Sequence, residues 1–310
     1  MQTPNMVLFN RYIDLEFTTD KGSGSKKISF LSPKTGIKPN VSFSMELVPT
    51  GNTSKIVIKV MNMYSVINIA RYKHVKIIAG YRNGLYTTMD AEIMDSYVER
   101  PNPEGITIFN CVYGSVSGMY ANKEPIAISF KQSLTVKDMF KTITTGFSLK
   151  LQMTLPKEWE SVVFTSSMYT QTYRNALEMW FDIKAKLKKI SELLKLPALY
   201  TSVTGNTFYV LSMITGSDKE KSVVLDKVTS AYLMGGAVMV KAPWLPTLEP
   251  GSLFKMDTRF FRGKIGNLKI GGERKLYRAY TIKVGFSTHS ENYMEVYATD
   301  LSISEDWVDQ

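Results

Sequence analysis

Few residues in this chain have the side chains that metal or acid–base chemistry needs. There are two histidines, His74 and His289, and one cysteine, Cys111. No two of them share a ligand-pair spacing, and transition-metal sites draw on several His or Cys ligands. His74 precedes an apolar strand, and His289 lies in the polar turn Ser287-Thr-His-Ser290. A histidine base needs a nucleophile and an orienting carboxylate. The nucleophile elbow G-x-S-x-G is missing, since Gly114-Ser-Val-Ser-Gly118 has Val116 at its centre. No phosphate-cradling glycine loop joins a strand to a helix, and Gly263-Lys-Ile-Gly266 is followed by strand-like residues. Glu158 and Glu160 flank Trp159, but a glycosidase sets two carboxylates across a cleft. The expectation is a non-enzyme with no catalytic residue, no cofactor-binding residue and no metal site. A cell-wall-degrading enzyme or a nuclease is the less favoured alternative.

Binding chemistry offers more. Net charge is +10, and the excess is spread over the first two thirds of the chain. Such a surplus suits a solvated surface, an acidic partner or nucleic acid. Arg259-Phe-Phe-Arg262 and Lys275-Leu-Tyr-Arg-Ala-Tyr280 interleave aromatic and basic residues, as single-strand binders do. Strand alternation turns half of those aromatics into core. A basic helix face carries Lys184, Lys188 and Lys189. With Arg259 and Arg262, these are the candidate partner-interface residues.

The elements that position these residues follow from periodicity. A chain of 310 residues, 44% hydrophobic and 21% charged, folds as two or three domains. One cysteine rules out an intrachain disulfide. The amino terminus lacks the pattern of a secretory signal, and the apolar run Ala231 to Val240 is too short to span a bilayer. A soluble protein or assembly is expected. Val41 to Leu47 alternates apolar and polar residues, as a half-buried strand does. Ile56–Val60, Val75–Ala79, Met89–Tyr97 and Ile106–Val112 continue the series between turn signals. Lys21 to Lys27 reads as a flexible loop or hairpin tip. Thr135-Val-Lys-Asp138 fits a capping box, and Gly146 ends the helix that follows. A longer amphipathic helix is expected over 172–196, with Tyr173, Trp180, Ile183 and Leu187 on its apolar stripe and Pro197 at its end. Tyr200 to Leu211 reads as a hairpin, 263–272 as a mobile loop, and 305–310 as a frayed acidic tail.

Two distant segments follow one plan. Val75–Tyr81, Met89–Ile93 and Ile106–Asn110 form one set. Leu248–Met256, Tyr277–Ile282 and Glu295–Ala298 form the other. Each is a glycine-containing turn and three strands. The fold class is therefore β-rich α+β, with two antiparallel barrel or sandwich domains flanking a central helix-containing region. The expected divisions are 1–118, with an extra arm at 1–40, then 119–222 and 223–310.

This order of elements resembles the baseplate hub proteins of long-tailed bacteriophages, the late control or tail hub family. The resemblance runs over about residues 41–300, on elements taken in order. They are Ala79-Gly80-Tyr81, Ala91-Glu-Ile93, the helix and strand from Phe140 to Leu149, the hairpin strand Phe208–Leu211, Val228–Gly236, Leu248-Glu-Pro250-Gly251, and Tyr280–Ala298. A glycine usual before Ile93 is replaced by Ala91-Glu. Residues 1–40 have no counterpart, and the long helix exceeds the usual length. The resemblance implies a structural virion protein, a homotrimeric hub joining a hexameric tail tube to a trimeric tip or spike. It also implies a central channel for genome passage, with transient contact to DNA and no stable membrane or small-molecule ligand. Its place would be the virion tail or baseplate, after assembly in the host cytoplasm. Another tail component, such as a distal tail protein, a tube-end protein or an injection-system spike base, is the alternative.

Overall fold

The computed structural model describes residues 11–19, 25–29, 40–48, 54–61, 72–81, 84–99, 105–113, 125–130, 133–147, 150–164, 169–174, 176–204, 207–212, 222–234, 237–257, 260, 274–288 and 292–301. Strands β1 (Arg11–Thr18), β2 (Ser25–Ser29), β3 (Val41–Leu47), β4 (Lys55–Met61), β5 (His74–Tyr81), β6 (Tyr86–Glu99) and β7 (Ile106–Tyr113) come first. The last six are β15 (Ser222–Leu225), β16 (Ser230–Met234), β17 (Ala237–Ala242), β18 (Leu253–Asp257), β19 (Arg274–Ser287) and β20 (Asn292–Asp300). All thirteen join one sheet, in the order β16-β17-β20-β19-β3-β4-β7-β6-β5-β1-β2, with β18 on β19 and β15 on β18. The strands form because apolar residues recur at every second position. Val41, Phe43, Met45 and Leu47 point inward from β3, and Ile56, Ile58 and Val60 from β4.

The sheet curls onto itself. Tyr81 on β5 stands five strand steps from Phe286 on β19. A flat sheet would hold them about 24 Å apart at the usual strand spacing. Their ring centroids are 5.8 Å apart, edge to face. One hydrophobic core therefore takes residues from both ends of the chain, with Phe43, Trp244 and Phe286 at its centre.

The two expected strand sets are present and equivalent. In each, a central strand of fourteen residues pairs on one side with the strand before it and on the other with the strand after it: β5-β6-β7 and β18-β19-β20. Each central strand carries a bulge against its following neighbour, between Ile93 and Asp95 in β6 and between Ala279 and Thr281 in β19. The order β3-β4-β7-β6-β5 repeats as β16-β17-β20-β19-β18, and β19 pairs with β3 to join the units edge to edge. The glycines are not equivalent. Gly80 closes the turn after β5, whereas Gly251, at φ +89°, precedes β18.

Residues 11–18, expected within an extra arm, are an integral strand between β2 and β5. Ile13, Leu15 and Phe17 are fully buried. Their i, i+2, i+4 spacing was the available signal, masked by the interposed Asp14 and Glu16. Three residues of the expected 21–27 loop, Ser25 to Lys27, belong to β2. The segments 263–272 and 305–310 lie outside the described residues.

The middle of the chain builds a second core. It contains β8 (Ile126–Phe130), β9 (Leu134–Thr135), α1 (Val136–Gly146), β10 (Lys150–Thr154), α2 (Lys157–Glu160), β11 (Val163–Phe164), β12 (Tyr169–Tyr173), α3 (Ala176–Leu194), β13 (Leu199–Thr204) and β14 (Thr207–Ser212). The β13–β14 hairpin pairs as expected, and β10 joins β14 in parallel. Thr135 caps α1 by accepting the Asp138 N–H at 3.1 Å, while its hydroxyl donates to the Asp138 carboxylate at 2.7 Å. The long helix is shorter than the expected 172–196. Tyr169 to Tyr173 is a strand on β8, in keeping with its β-branched and aromatic residues. Tyr173 still reaches the core, so its place in the apolar stripe was right and its helical state was not. At the far end Lys195 turns left-handed, φ 52°, and the Leu196 N–H donates to the Ser191 carbonyl at 2.9 Å. The helix thus stops at Leu194, two residues short of the expected end.

Candidate assembly surface

The residues considered for chemistry stay apart. Glu158 and Glu160 are exposed on the short α2, while Trp159 between them is buried and donates to the Pro197 carbonyl at 2.7 Å. His74 lies on the exposed side of β5, opposite Glu92. Cys111 is buried in β7, and burial, with the Asp95 charge adding to it, pushes its thiol up to about 12. A thiol so placed is protonated and unreactive at neutral pH. His289 lies outside the described residues.

The candidate interface residues divide likewise. Lys184, Lys188 and Lys189 occupy the exposed face of α3. Lys184 sits 5.2 Å from the Trp180 ring centroid, and Lys188 lies 3.8 Å from Glu192. Arg259 and Arg262 fall outside the described residues.

The sheet's outer face shows what sequence reasoning missed. One row crosses five strands as Lys241, Glu295, Lys283, Glu46 and Lys55, each opposite the next. Lys241 and Glu295 are 3.2 Å apart, and Lys283 and Glu46 are 3.3 Å apart. The hydrogen bond to Glu46, then its charge, raises the Lys283 ammonium. Alternating charges directly opposite one another favour this register, and the row runs across the seam between β19 and β3. Outward positions on single strands showed the charges. Their alignment depends on strand order.

A second contact fastens the seam from inside. The Tyr81 hydroxyl lies 2.8 Å from both the Trp244 carbonyl and the Asn292 side-chain oxygen, which share its single proton. Asn292 also accepts the Trp244 N–H at 3.2 Å. The middle region meets the sheet through Tyr200, which donates to the Tyr280 carbonyl at 3.1 Å, and Tyr209, which donates to Glu249 at 3.0 Å. Leu211 packs against Gly251, where an added Cβ would lie 2.4 Å from its Cδ1. The arrangement is a curled two-unit sheet with a side body docked on its second unit.

No protein-family model and no curated protein matches this sequence. Solved structures do match in fold. A tail protein from Neisseria meningitidis MC58 superposes with a TM-score of 0.53 at 6% identity, over 94% of this chain and 97% of that one. The 43 kDa tail protein of prophage MuSo2 from Shewanella oneidensis gives 0.53 at 8% identity, over 94% and 99%. This chain has the fold of phage tail proteins. The E. coli c3393 protein, a type VI secretion component with structural similarity to T4 tail proteins gp27 and gp5, gives 0.52 at 10% identity, over 86% and 75%. At such identities the likeness is one of fold, and the expected β-rich α+β class agrees with it.

Proposed function

We propose that this chain is a structural, non-catalytic tail or baseplate hub. Three copies surround a channel and join a sixfold tail tube to a threefold tip or spike. The observation that carries this reading is the repeat of one strand plan within one curled sheet. Two equivalent units per chain let a trimer present six similar faces, which reconciles the two symmetries. The fold shared with phage tail proteins supports a place in the virion tail; assembly in the host cytoplasm is part of the proposal. The division at 1–118, 119–222 and 223–310 belongs to this proposal, as does transient passage of DNA through the channel. A reconstruction of the particle tests it: three copies around a channel are expected, next to the tube end. A single copy, or a ring of six, would overturn it.

The spike base of an injection system is a second reading, favoured by the shared fold of the type VI secretion component. The neighbouring density in the same reconstruction separates the two.

A further inference from the structure

The two β-units differ in one respect that their equivalence makes informative. In the second unit, the far half of β19 has a neighbour on each side. Residues 277–286 pair with β20, and 282–287 pair with β3. In the first unit, β5 pairs with β6 only as far as Glu92, while β7 continues to Glu99. Residues 94–99 therefore have one strand edge unfilled among the described residues. At the other end of the sheet β16 pairs, among the described residues, with β17 alone, whereas its counterpart β3 lies between β4 and β19. One vacancy is of the kind β3 fills, and one is of the kind β19 fills.

Exposed large apolar side chains stand on these two strands. Met94 is 64% and Tyr97 50% exposed on β6, and Tyr232 is 36% and Leu233 39% exposed on β16. Met45 occupies the position in β3 that Leu233 occupies in β16, and it is only 6% exposed. β16 is uncharged, whereas residues 94–99 carry Asp95 and Glu99 beside Met94 and Tyr97. An edge with exposed apolar side chains is a template for pairing with another chain.

We infer that a second copy of this chain fills both vacancies, residues 94–99 of one protomer pairing antiparallel with β16 of its neighbour. The internal seam supplies the register. Superposing the bulges sets Asp95 level with Thr281, hence Val98 with Val284 and Glu99 with Gly285. Superposing β16-β17-β20 on β3-β4-β7 sets Leu233 level with Met45 and Tyr232 with Ser44. Val284 faces Met45, and Gly285 faces Ser44. So Val98 faces Leu233 of the neighbour, and Glu99 faces Tyr232. The two edges differ, so the contact is head-to-tail and propagates beyond a dimer, into a ring where the rotation closes. The number of copies in that ring rests on the hub proposal, but the pairing does not.

Cysteine pairs in the full chain test this. Directly opposite residues have Cβ atoms about 4.5–5.5 Å apart, close enough for a disulfide after a small adjustment. Val98→Cys with Leu233→Cys, and separately Glu99→Cys with Tyr232→Cys, should give covalent oligomers on mild oxidation. Single variants should give none, because a head-to-tail contact needs both residues. The off-register pair Ser96→Cys with Leu233→Cys should cross-link at least tenfold more slowly. Leu233→Asp should abolish association while leaving the protomer's melting temperature and circular dichroism unchanged, since Leu233 is already exposed in the protomer. A ring of three by mass in which neither in-register pair cross-links would overturn the pairing and leave the hub proposal standing. Cross-linking by a single-cysteine variant would overturn the head-to-tail contact. A chain that stays monomeric at every concentration would overturn the pairing and the ring together.

Discussion

Tyr81→Phe isolates the bond that fastens the two β-units from inside. The ring stays, so its edge contact with Phe286 and its burial are preserved. The hydroxyl goes, and with it the bonds to the Trp244 carbonyl and to Asn292. Asn292 keeps the Trp244 N–H, but the Trp244 carbonyl loses the phenol. A buried acceptor left without its donor costs about 1–3 kcal/mol. For a folded body of this size, each kcal/mol lowers the melting temperature by roughly 2–4 °C, so a fall of about 2–12 °C is expected. Urea unfolding should be followed by tryptophan fluorescence, which reports on Trp244, and by circular dichroism. Alkaline pH supplies a second readout, the phenol's own titration. Burial raises the Tyr81 phenol to about 12, against lowering by the Asn292 bond and Arg11. The folded protein thus holds a proton that the unfolded chain releases from about pH 10 upward. The stability from Tyr81 is complete below pH 10 and is lost as pH rises to 12. Tyr81→Phe should make that alkaline loss shallower. A destabilisation under about 0.5 kcal/mol, smaller than a typical net hydrogen bond, with an unchanged alkaline slope would refute the role given to this bond.

Three further outcomes are expected. Gly80→Ala places a Cβ 2.2 Å from the Leu85 carbonyl oxygen and 2.6 Å from the Tyr86 Cα. These are backbone atoms of the β5–β6 turn, so the turn must open, at a cost of about 2 kcal/mol or more in urea unfolding. Thr135→Ala removes the α1 cap and should cost about 1 kcal/mol; Thr135→Ser, which keeps the hydroxyl, should restore most of it. Cys111 should resist a thiol-specific disulfide reagent at pH 8 in the native protein and react fully in denaturant, because its buried thiol is raised to about 12. Rapid native labelling would mean that β7 opens readily.

Much of the fold was legible because strand alternation is a local property. β3, β4, β5, β6 and β7 follow directly from apolar residues at every second position, as does the hairpin β13–β14. The Thr135 cap and the Gly146 stop are equally local. Thr172 and Tyr173 misled because a strand and a helix can both deliver Tyr173 to one core. β1 was missed because Asp14, itself buried, and Glu16 interrupt its buried apolar residues.

Composition and spacing by themselves determined that this chain is β-rich, that it carries two strand sets of one plan, and that its chemistry-bearing residues are scattered along the sequence. The tertiary structure alone decided that the two sets are one sheet. The pairing of β3 with β19 joins residues more than two hundred positions apart, and no local period encodes such a partner. For the same reason only the fold could align Lys241, Glu295, Lys283, Glu46 and Lys55 in one row, and only the fold could leave β6 and β16 each with an edge unfilled among the described residues. A strand's inward face is written in its own residues, whereas its neighbour is chosen by the closure of the whole sheet.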